Sequence, residues 1–157
     1  MVEAELGRDN ADDVIRKMLI GLHSAIAAHE SFNWYSAQRD EGLRRGYRLA
    51  ADARHGMLQD EFHLVYQPRF RSSNLQPVSA EVLIRWNHPQ LGPVSPAEFI
   101  PVFERTALME GVTEWVIDHA LAQLAQWKRS GLALSLSINL SARDVARQGM
   151  ADELVAK

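Results

Sequence analysis

The sequence contains no cysteine among its 157 residues. This excludes disulfide bonds, a thiol nucleophile and any zinc site built on cysteine. No apolar run reaches the roughly 18 residues that a membrane-spanning helix needs. The N-terminus also lacks the basic and then apolar pattern of a signal peptide. We therefore expect a globular protein of the cytoplasm, with no membrane segment in this chain.

The chain also lacks an excess of positive charge. It has 17 basic and 20 acidic residues, which give a formal net charge of −3. Binding to nucleic acid depends on basic side chains that neutralise phosphates, so we do not expect a nucleic acid as a partner. The composition, 46% hydrophobic and 24% charged, is typical of a folded domain.

Two helices are predicted in the first third of the chain. Residues 10–29 carry apolar side chains at the 3.6-residue spacing of an amphipathic helix, and Glu41–Gln59 have a similar pattern. Between them, the aromatic run Phe32–Tyr35 predicts a short strand. The apolar stripe of the first helix consists of Val14, Ile15, Met18, Leu19, Leu22 and Ile26. Residues 1–48 are thus predicted to be a helical segment with one short strand.

A pair of strands is predicted next. Apolar and polar residues alternate from Phe62 until Pro68 breaks the run, and Val78–Trp86 form a second strand. The polar connection at residues 72–76 is too short for a crossover helix. We therefore expect the two strands to pair as an antiparallel hairpin.

The rest of the chain alternates helix and strand. Ser95 is predicted to cap a helix that has Pro96 in its first position, and Val112–Arg129 form a longer helix that stops at Gly131. Leu132–Leu140 then read as a strand, which after a helix indicates parallel α/β architecture. The interpretation is an incomplete (β/α)8, TIM-type barrel with about its first three strands, the first two of them antiparallel.

The predicted strand Leu132–Leu140 has one leucine-rich face and one small polar face that ends at Asn139. In a barrel the polar face points inward, and Asn139 lies at the rim where barrel enzymes place their chemistry. Ser141 is predicted to cap a further helix with Asp144 three residues on. The expected buried side of that helix is Val145, Met150 and Leu154. It has no stop signal before Lys157, which we interpret as truncation.

Chemistry-bearing residues occur on the second strand of the hairpin. Glu81, Leu83 and Arg85 share one of its faces. Taken alone, a carboxylate and a guanidinium on one face are more often a structural ion pair than a site. Asn139 alone is most often a turn-former, and Gln67 before a proline is uninformative alone. Their combination is what indicates a function.

In that combination the sequence resembles the EAL domain family over about Leu49–Lys157. The matching segments occur in the family's order and are Tyr66-Gln67-Pro68, residues 81–89, Pro96, Phe99-Ile100-Pro101, Trp115-Val116, Trp127 and residues 137–141. Val82 stands where the family has alanine, on the face away from Glu81. The resemblance implies a modified (β/α)8 barrel whose active members hydrolyse cyclic di-GMP to linear pGpG with Mg²⁺ or Mn²⁺.

The resemblance also implies a role for each matching residue. Glu81 and Asn139 are expected as metal ligands, Arg85 as a phosphate contact, and Gln67 and Leu83 as nucleotide-pocket residues. Hard cations such as Mg²⁺ take carboxylate and amide oxygens, and arginine suits phosphate through its forked donors. The general base and the remaining ligands are expected beyond Lys157, so Mg²⁺ or Mn²⁺ is expected only in the complete domain.

Residues 1–48 resemble, more weakly, the last helix and strand of a degenerate GGDEF domain and a linker. A helical appendage of unrelated origin is the alternative. Residues 49–157 are the predicted N-terminal portion of the EAL domain. The expected partners are cyclic di-GMP, an upstream GGDEF-like or sensory domain, and a second copy in a homodimer. Three functions stay open: part of a phosphodiesterase, an inactive cyclic di-GMP receptor or interaction module, and a truncated product without function.

Overall fold

A computed structural model describes residues 10–150, apart from the side chains of residues 27 and 28. The helices are α1 (Ala11–Ala28), α2 (Ala37–Leu58), α3 (Pro96–Glu104), α4 (Leu108–Arg129) and α5 (Ala142–Ala146). The strands are β1 (Phe62–Phe70), β2 (Pro77–His88), β3 (Gly92–Val94) and β4 (Ser135–Ile138). The chain divides into two compact units between Tyr47 and Arg48, inside α2. None of the helices within residues 10–150 is long and apolar enough to cross a membrane.

The first unit begins with the predicted helix α1. The Asn10 side chain accepts a hydrogen bond from the backbone N–H of Asp13 at 2.8 Å, which caps the helix N-terminus. The helix ends at His29, whose backbone is left-handed with φ of 54°. Its apolar stripe is not covered within the described residues. Between 50% and 62% of the surface is exposed at Ile15, Met18, Leu19, Leu22 and Ile26.

An acidic side chain in α2 gathers the polar contacts of the first unit. The carboxylate of Asp40 is hydrogen-bonded by Arg16, by Arg44 and by the Tyr35 hydroxyl. Desolvation acts to raise the pKa of Asp40, but these three hydrogen bonds outweigh it and hold the pKa below its usual value. Asp40 is therefore ionised at neutral pH and ties α1 to α2 inside this unit.

The short strand predicted at Phe32–Tyr35 is wrong. These residues form an irregular connection, and the described part of the first unit holds no strand with which they could pair. The connection instead packs closely on α1, because a Cβ atom at Gly21 would lie 3.1 Å from the Asn33 carbonyl oxygen. Phe32 and Trp34 are more than half exposed and meet edge to face at 6.3 Å.

The second unit is built on a four-stranded sheet with β2 at its centre. β1 runs antiparallel to β2, from Phe62 opposite Trp86 to Phe70 opposite Pro77. β3 pairs antiparallel with the last residues of β2, and β4 pairs parallel with residues 79–82. The predicted antiparallel hairpin followed by a parallel strand is thus confirmed. The parallel strand is shorter than predicted, since it starts at Ser135 and not at Leu132.

Helices cover one face of this sheet with an aromatic core. Phe62 stacks on Trp86 with ring centroids 4.5 Å apart, and Phe99 meets both rings edge to face. The other fully buried large side chains of this core are Leu49 of α2, Phe103 of α3 and Val112 of α4. Leu136 and Ile138 of β4 pack against the same core, as the alternation predicted. The opposite face of the sheet carries mostly polar side chains and is called the polar face below.

Two helix starts test the predicted caps. Pro96 occupies the first turn of α3 as predicted, but the Ser95 side chain makes no capping hydrogen bond. At α5 the predicted capping box is present, since Ser141 and Asp144 bond each other reciprocally. The expected buried side of that helix is only partly confirmed. Met150 is buried but lies beyond the end of α5 at Ala146, Val145 inside α5 is 67% exposed, and Leu154 lies outside the described residues.

Candidate metal and nucleotide site

Every predicted site residue lies on the polar face of the sheet. Side chains two residues apart share a face of a strand, so Glu81, Leu83 and Arg85 project from β2 on one side. Gln67 of β1 is the register partner of Glu81, and Ser137 of β4 is its partner on the other side. The register thus centres this face on Glu81.

The two predicted metal ligands meet. The Asn139 side-chain amide donates from Nδ2 to Oε1 of Glu81 at 2.9 Å, across 58 residues of sequence. Asn139 directly follows β4, and the parallel register of Val82 with Ile138 brings it beside Glu81. Parallel pairing of β2 and β4 therefore creates this contact.

A third side chain contacts Glu81, and sequence reasoning missed it. Arg69 Nη2 lies 3.0 Å from the second carboxylate oxygen of Glu81, Oε2. The prediction ended the first strand at Pro68, whereas β1 continues through Pro68 to Phe70. The available signal was the two-residue spacing of Gln67 and Arg69, which puts both on one face of a longer strand.

These contacts stabilise the negative charge on Glu81. The hydrogen bond from Asn139, followed by the hydrogen bond and charge of Arg69, lowers the pKa of the Glu81 carboxyl, and the opposing effect of desolvation is smaller. Glu81 therefore carries its negative charge throughout the neutral range. It presents an ionised carboxylate, which is the form that binds a cation.

The donor atoms of this pair fit a hard divalent cation. Carboxylate and amide oxygens are ligand types that Mg²⁺ takes, but Mg²⁺ prefers six ligands and usually keeps several waters. Within residues 10–150, no group of three or more histidine, aspartate or glutamate side chains is arranged to hold a metal. Glu81 and Asn139 thus supply two protein oxygens, and Asn139 supplies its oxygen only when its amide turns Oδ1 toward the cation.

The three residues predicted to contact nucleotide lie along the same face. Gln67 is exposed opposite Glu81, and Leu83 and Arg85 are partly buried. Arg85 Nη1 donates to the backbone carbonyl of Ile84 at 2.8 Å. The structure brings these residues onto the face that holds Glu81 and Asn139.

A cavity lies beside the part of β2 that pairs with neither β3 nor β4. β4 pairs with β2 only up to Val82, and β3 begins to pair at Trp86, so residues 83–85 border a cavity of about 380 Å³. Its wall is mostly apolar and comes from α3, α4 and the end of β4. Arg85 and Asn139 are among its polar lining residues.

A buried carboxylate holds the turn that follows Asn139. Oδ2 of Asp144 accepts hydrogen bonds from the Thr113 hydroxyl of α4 at 2.9 Å and from the Ser141 hydroxyl at 2.6 Å. The Ser141 backbone N–H adds a third at 3.1 Å. These bonds anchor the start of α5 to α4, two residues after Asn139.

The family model of the EAL domain matches residues 50–157. The chain therefore belongs to the EAL domain family, and its described strands form part of a TIM-barrel-type α/β fold.

Two curated relatives come from Pseudomonas aeruginosa. The chain is 43% identical over 148 residues to cyclic di-GMP phosphodiesterase PA2567, and the match covers 94% of the chain and 25% of that protein. It is 29% identical over 133 residues to the bifunctional diguanylate cyclase/cyclic di-GMP phosphodiesterase MucR, and this match covers 84% of the chain and 19% of that protein. The chain thus spans about a quarter or less of the length of these relatives.

Solved structures give the same fold. The PaMucR phosphodiesterase in complex with c-di-GMP superposes with a TM-score of 0.66 at 34% identity, over 69% of this chain and 44% of that one. The FimX EAL domain from Pseudomonas aeruginosa, bound to c-di-GMP, gives a TM-score of 0.57 at 26% identity, over 69% of this chain and 43% of that one.

Proposed function

We propose that this chain forms part of a cyclic di-GMP phosphodiesterase that hydrolyses cyclic di-GMP to linear pGpG. The observation that carries the proposal is the 2.9 Å contact between Glu81 and Asn139, two oxygen-bearing side chains brought together on the polar face of the sheet. The 43% identity to a cyclic di-GMP phosphodiesterase supports the same reaction.

In this proposal Glu81 and Asn139 hold Mg²⁺ or Mn²⁺. Held there, the metal would supply the activation of a water molecule and the stabilisation of the leaving oxygen of the phosphodiester. Glu81 contributes an ionised carboxylate, and Asn139 and Arg69 lower its pKa further below neutral pH. Asn139 contributes an amide oxygen, and the Asp144 bonds at the start of α5 limit the movement of the turn beside it.

Arg85, Gln67 and Leu83 bind the nucleotide. The guanidinium of Arg85 pairs with a phosphate, for which its forked donors are suited. Gln67 offers amide donors and acceptors, and Leu83 offers an apolar contact between Glu81 and Arg85. All three lie on the face that carries Glu81.

The setting of this activity is also part of the proposal. We place the protein in the cytoplasm, with residues 1–48 as the end of a GGDEF-like domain and its linker and residues 49–157 as the beginning of the EAL domain. The name of MucR joins a diguanylate cyclase to a phosphodiesterase, which supports an upstream GGDEF-like partner. A homodimer is the expected assembly.

Hydrolysis of cyclic di-GMP tests the proposal. The protein that carries the complete EAL domain is incubated with cyclic di-GMP and Mg²⁺ or Mn²⁺, and linear pGpG is separated by chromatography. We expect turnover that depends on the metal and falls at least about 100-fold in Glu81→Ala, since hard-cation sites depend on their carboxylate. Glu41→Ala, which removes an exposed carboxylate from the first unit, is the matched control and keeps full turnover.

Binding of cyclic di-GMP in the presence of a chelator separates the remaining functions. Binding that weakens in Arg85→Ala, without turnover in the wild type, identifies a receptor. Neither binding nor turnover contradicts both functions. Full turnover by Glu81→Ala contradicts the assignment of Glu81 as a metal ligand.

A further inference from the structure

We propose that Arg69 is an internal competitor for the metal, which lowers the affinity of the Glu81–Asn139 pair for a divalent cation. This inference rests on the proposed function, in which those two side chains hold Mg²⁺ or Mn²⁺. Its basis is geometric, because the guanidinium of Arg69 already occupies one oxygen of the carboxylate that the metal needs.

The backbone directs Arg69 to this position. Arg69 lies opposite Ser79 in the register of β1 and β2, so Glu81 is its diagonal neighbour on the same face. Ser79 is small and leaves room for the long side chain to cross toward Glu81. The register then shifts between Arg69 and Phe70, and such an irregularity re-aims the side chains next to it.

Both oxygens of the Glu81 carboxylate are engaged. Oε2 lies 3.0 Å from Nη2 of Arg69, and Oε1 accepts from Asn139 at 2.9 Å. A cation that binds Glu81 must displace one of these donors. If it takes Oε1, Asn139 turns its amide oxygen to the metal and Arg69 stays, so a positive guanidinium lies close to a divalent cation. If it takes Oε2, the Arg69–Glu81 ion pair breaks.

On either route, Arg69 makes the binding free energy of the cation less favourable. Repulsion between the guanidinium and a divalent ion several ångströms away weakens binding of that ion. Near the surface the solvent screens this repulsion but does not abolish it. The side chain of Arg69 is 58% exposed and that of Glu81 is 27% exposed, so the ion pair is only partly shielded from solvent. We therefore expect a moderate effect, about threefold to tenfold in metal affinity.

Direct binding of Mn²⁺ to the protein that carries the complete EAL domain tests the inference. The free ion is measured by electron paramagnetic resonance, without nucleotide. Arg69→Met removes the charge but keeps an unbranched side chain, and we expect its Kd for Mn²⁺ to be about threefold to tenfold lower than that of the wild type. Arg69→Lys keeps the charge and is expected to stay within about twofold of the wild type. The gain in Arg69→Met shrinks as the salt concentration rises.

Two further variants separate the possible failures. Arg71→Met removes an exposed positive charge two residues further along the chain and leaves Arg69 on Glu81, so we expect little change in Kd. An equal gain in Arg71→Met, or a Kd in Arg69→Met that is unchanged or higher, overturns the inference. Glu81→Gln is expected to lose Mn²⁺ binding. If it binds Mn²⁺ as the wild type does, the proposed metal site is wrong, whatever Arg69 does.

A matched far-ultraviolet circular dichroism spectrum and melting curve accompany each variant. Tighter Mn²⁺ binding by Arg69→Met supports the inference where these two measurements show that the variant is folded. If Arg69→Met is unfolded, Arg69→Gln provides the same loss of charge on a polar side chain, and the same lower Kd is expected from it.

Discussion

Replacing Gly56 with alanine is expected to destabilise the second unit by about 1–3 kcal/mol. Gly56 lies in the last turns of α2, where the helix approaches the start of β1. A Cβ atom there would lie 2.8 Å from Oε2 of Glu61, 3.1 Å from Cε2 of Phe62 and 3.2 Å from Nε1 of Trp86. All three distances are shorter than ordinary van der Waals contacts, so these neighbours must move.

The magnitude depends on which neighbour can move. The Glu61 carboxylate ends a flexible side chain, but it accepts a hydrogen bond from Trp86 Nε1 at 3.0 Å. Moving it away costs about 1 kcal/mol for that bond. Phe62 and Trp86 are 2% and 1% exposed and stack on each other, so their displacement disturbs the core. The gain in helix propensity from glycine to alanine, about 1 kcal/mol, offsets only part of these costs.

Urea unfolding followed by tryptophan fluorescence measures the effect. Gly111→Ala in α4 is the matched control, because a Cβ at Gly111 meets nothing within 4 Å. We expect that control to be neutral or up to about 1 kcal/mol more stable, with an unchanged dependence on urea. Equal midpoints for Gly56→Ala and Gly111→Ala would refute the close packing of α2 on the β1–β2 hairpin.

Two further predictions concern buried polar contacts. Thr113→Val removes the hydroxyl that donates to the buried Asp144 carboxylate, and we expect a loss of about 1–3 kcal/mol in urea unfolding, which Thr113→Ser largely restores. In Asp40→Asn, the free energy of unfolding of the first unit is expected to fall less steeply as the pH is lowered. The lowered pKa of Asp40 gives stability that is present above its unfolded pKa of about 3.9 and is lost as the pH falls through the folded value. Acid titration of the circular dichroism signal checks this, and an identical acid limb in Asp40→Asn contradicts it.

The hairpin and its face were predictable because they depend on local pattern. Alternation in β1 and β2, with a short polar connection between them, leaves antiparallel pairing as the simple solution. Glu81, Leu83 and Arg85 therefore had to share a face. Local pattern could not predict the contact of Glu81 with Asn139, because that contact depends on a parallel register between strands far apart in sequence. The resemblance to the EAL family supplied that information.

Two errors have the same physical origin. Phe32–Tyr35 has the composition of a strand, but a strand needs a partner, and the described residues of the first unit provide none. Pro68 was predicted to end β1, but a proline removes only one backbone donor, which an edge strand tolerates. β1 has no strand on its other side within residues 10–150. Local composition does not show which backbone groups will have hydrogen-bonding partners. Because the second error ended the strand at Pro68, the contact of Arg69 with Glu81 was not predicted.

The two-residue period of β2 separates the site from the core. Even-numbered residues pack inward, with Val82 3% and Trp86 1% exposed, while Glu81 and Arg85 face the opposite side. A slip of one residue in register would bury Glu81 and expose Trp86, so the aromatic core enforces the alignment of the site. Valine in place of the family's alanine at position 82 lies on the core side, where it packs beside the helices. This substitution therefore changes packing volume while Glu81 keeps its contacts with Asn139 and Arg69.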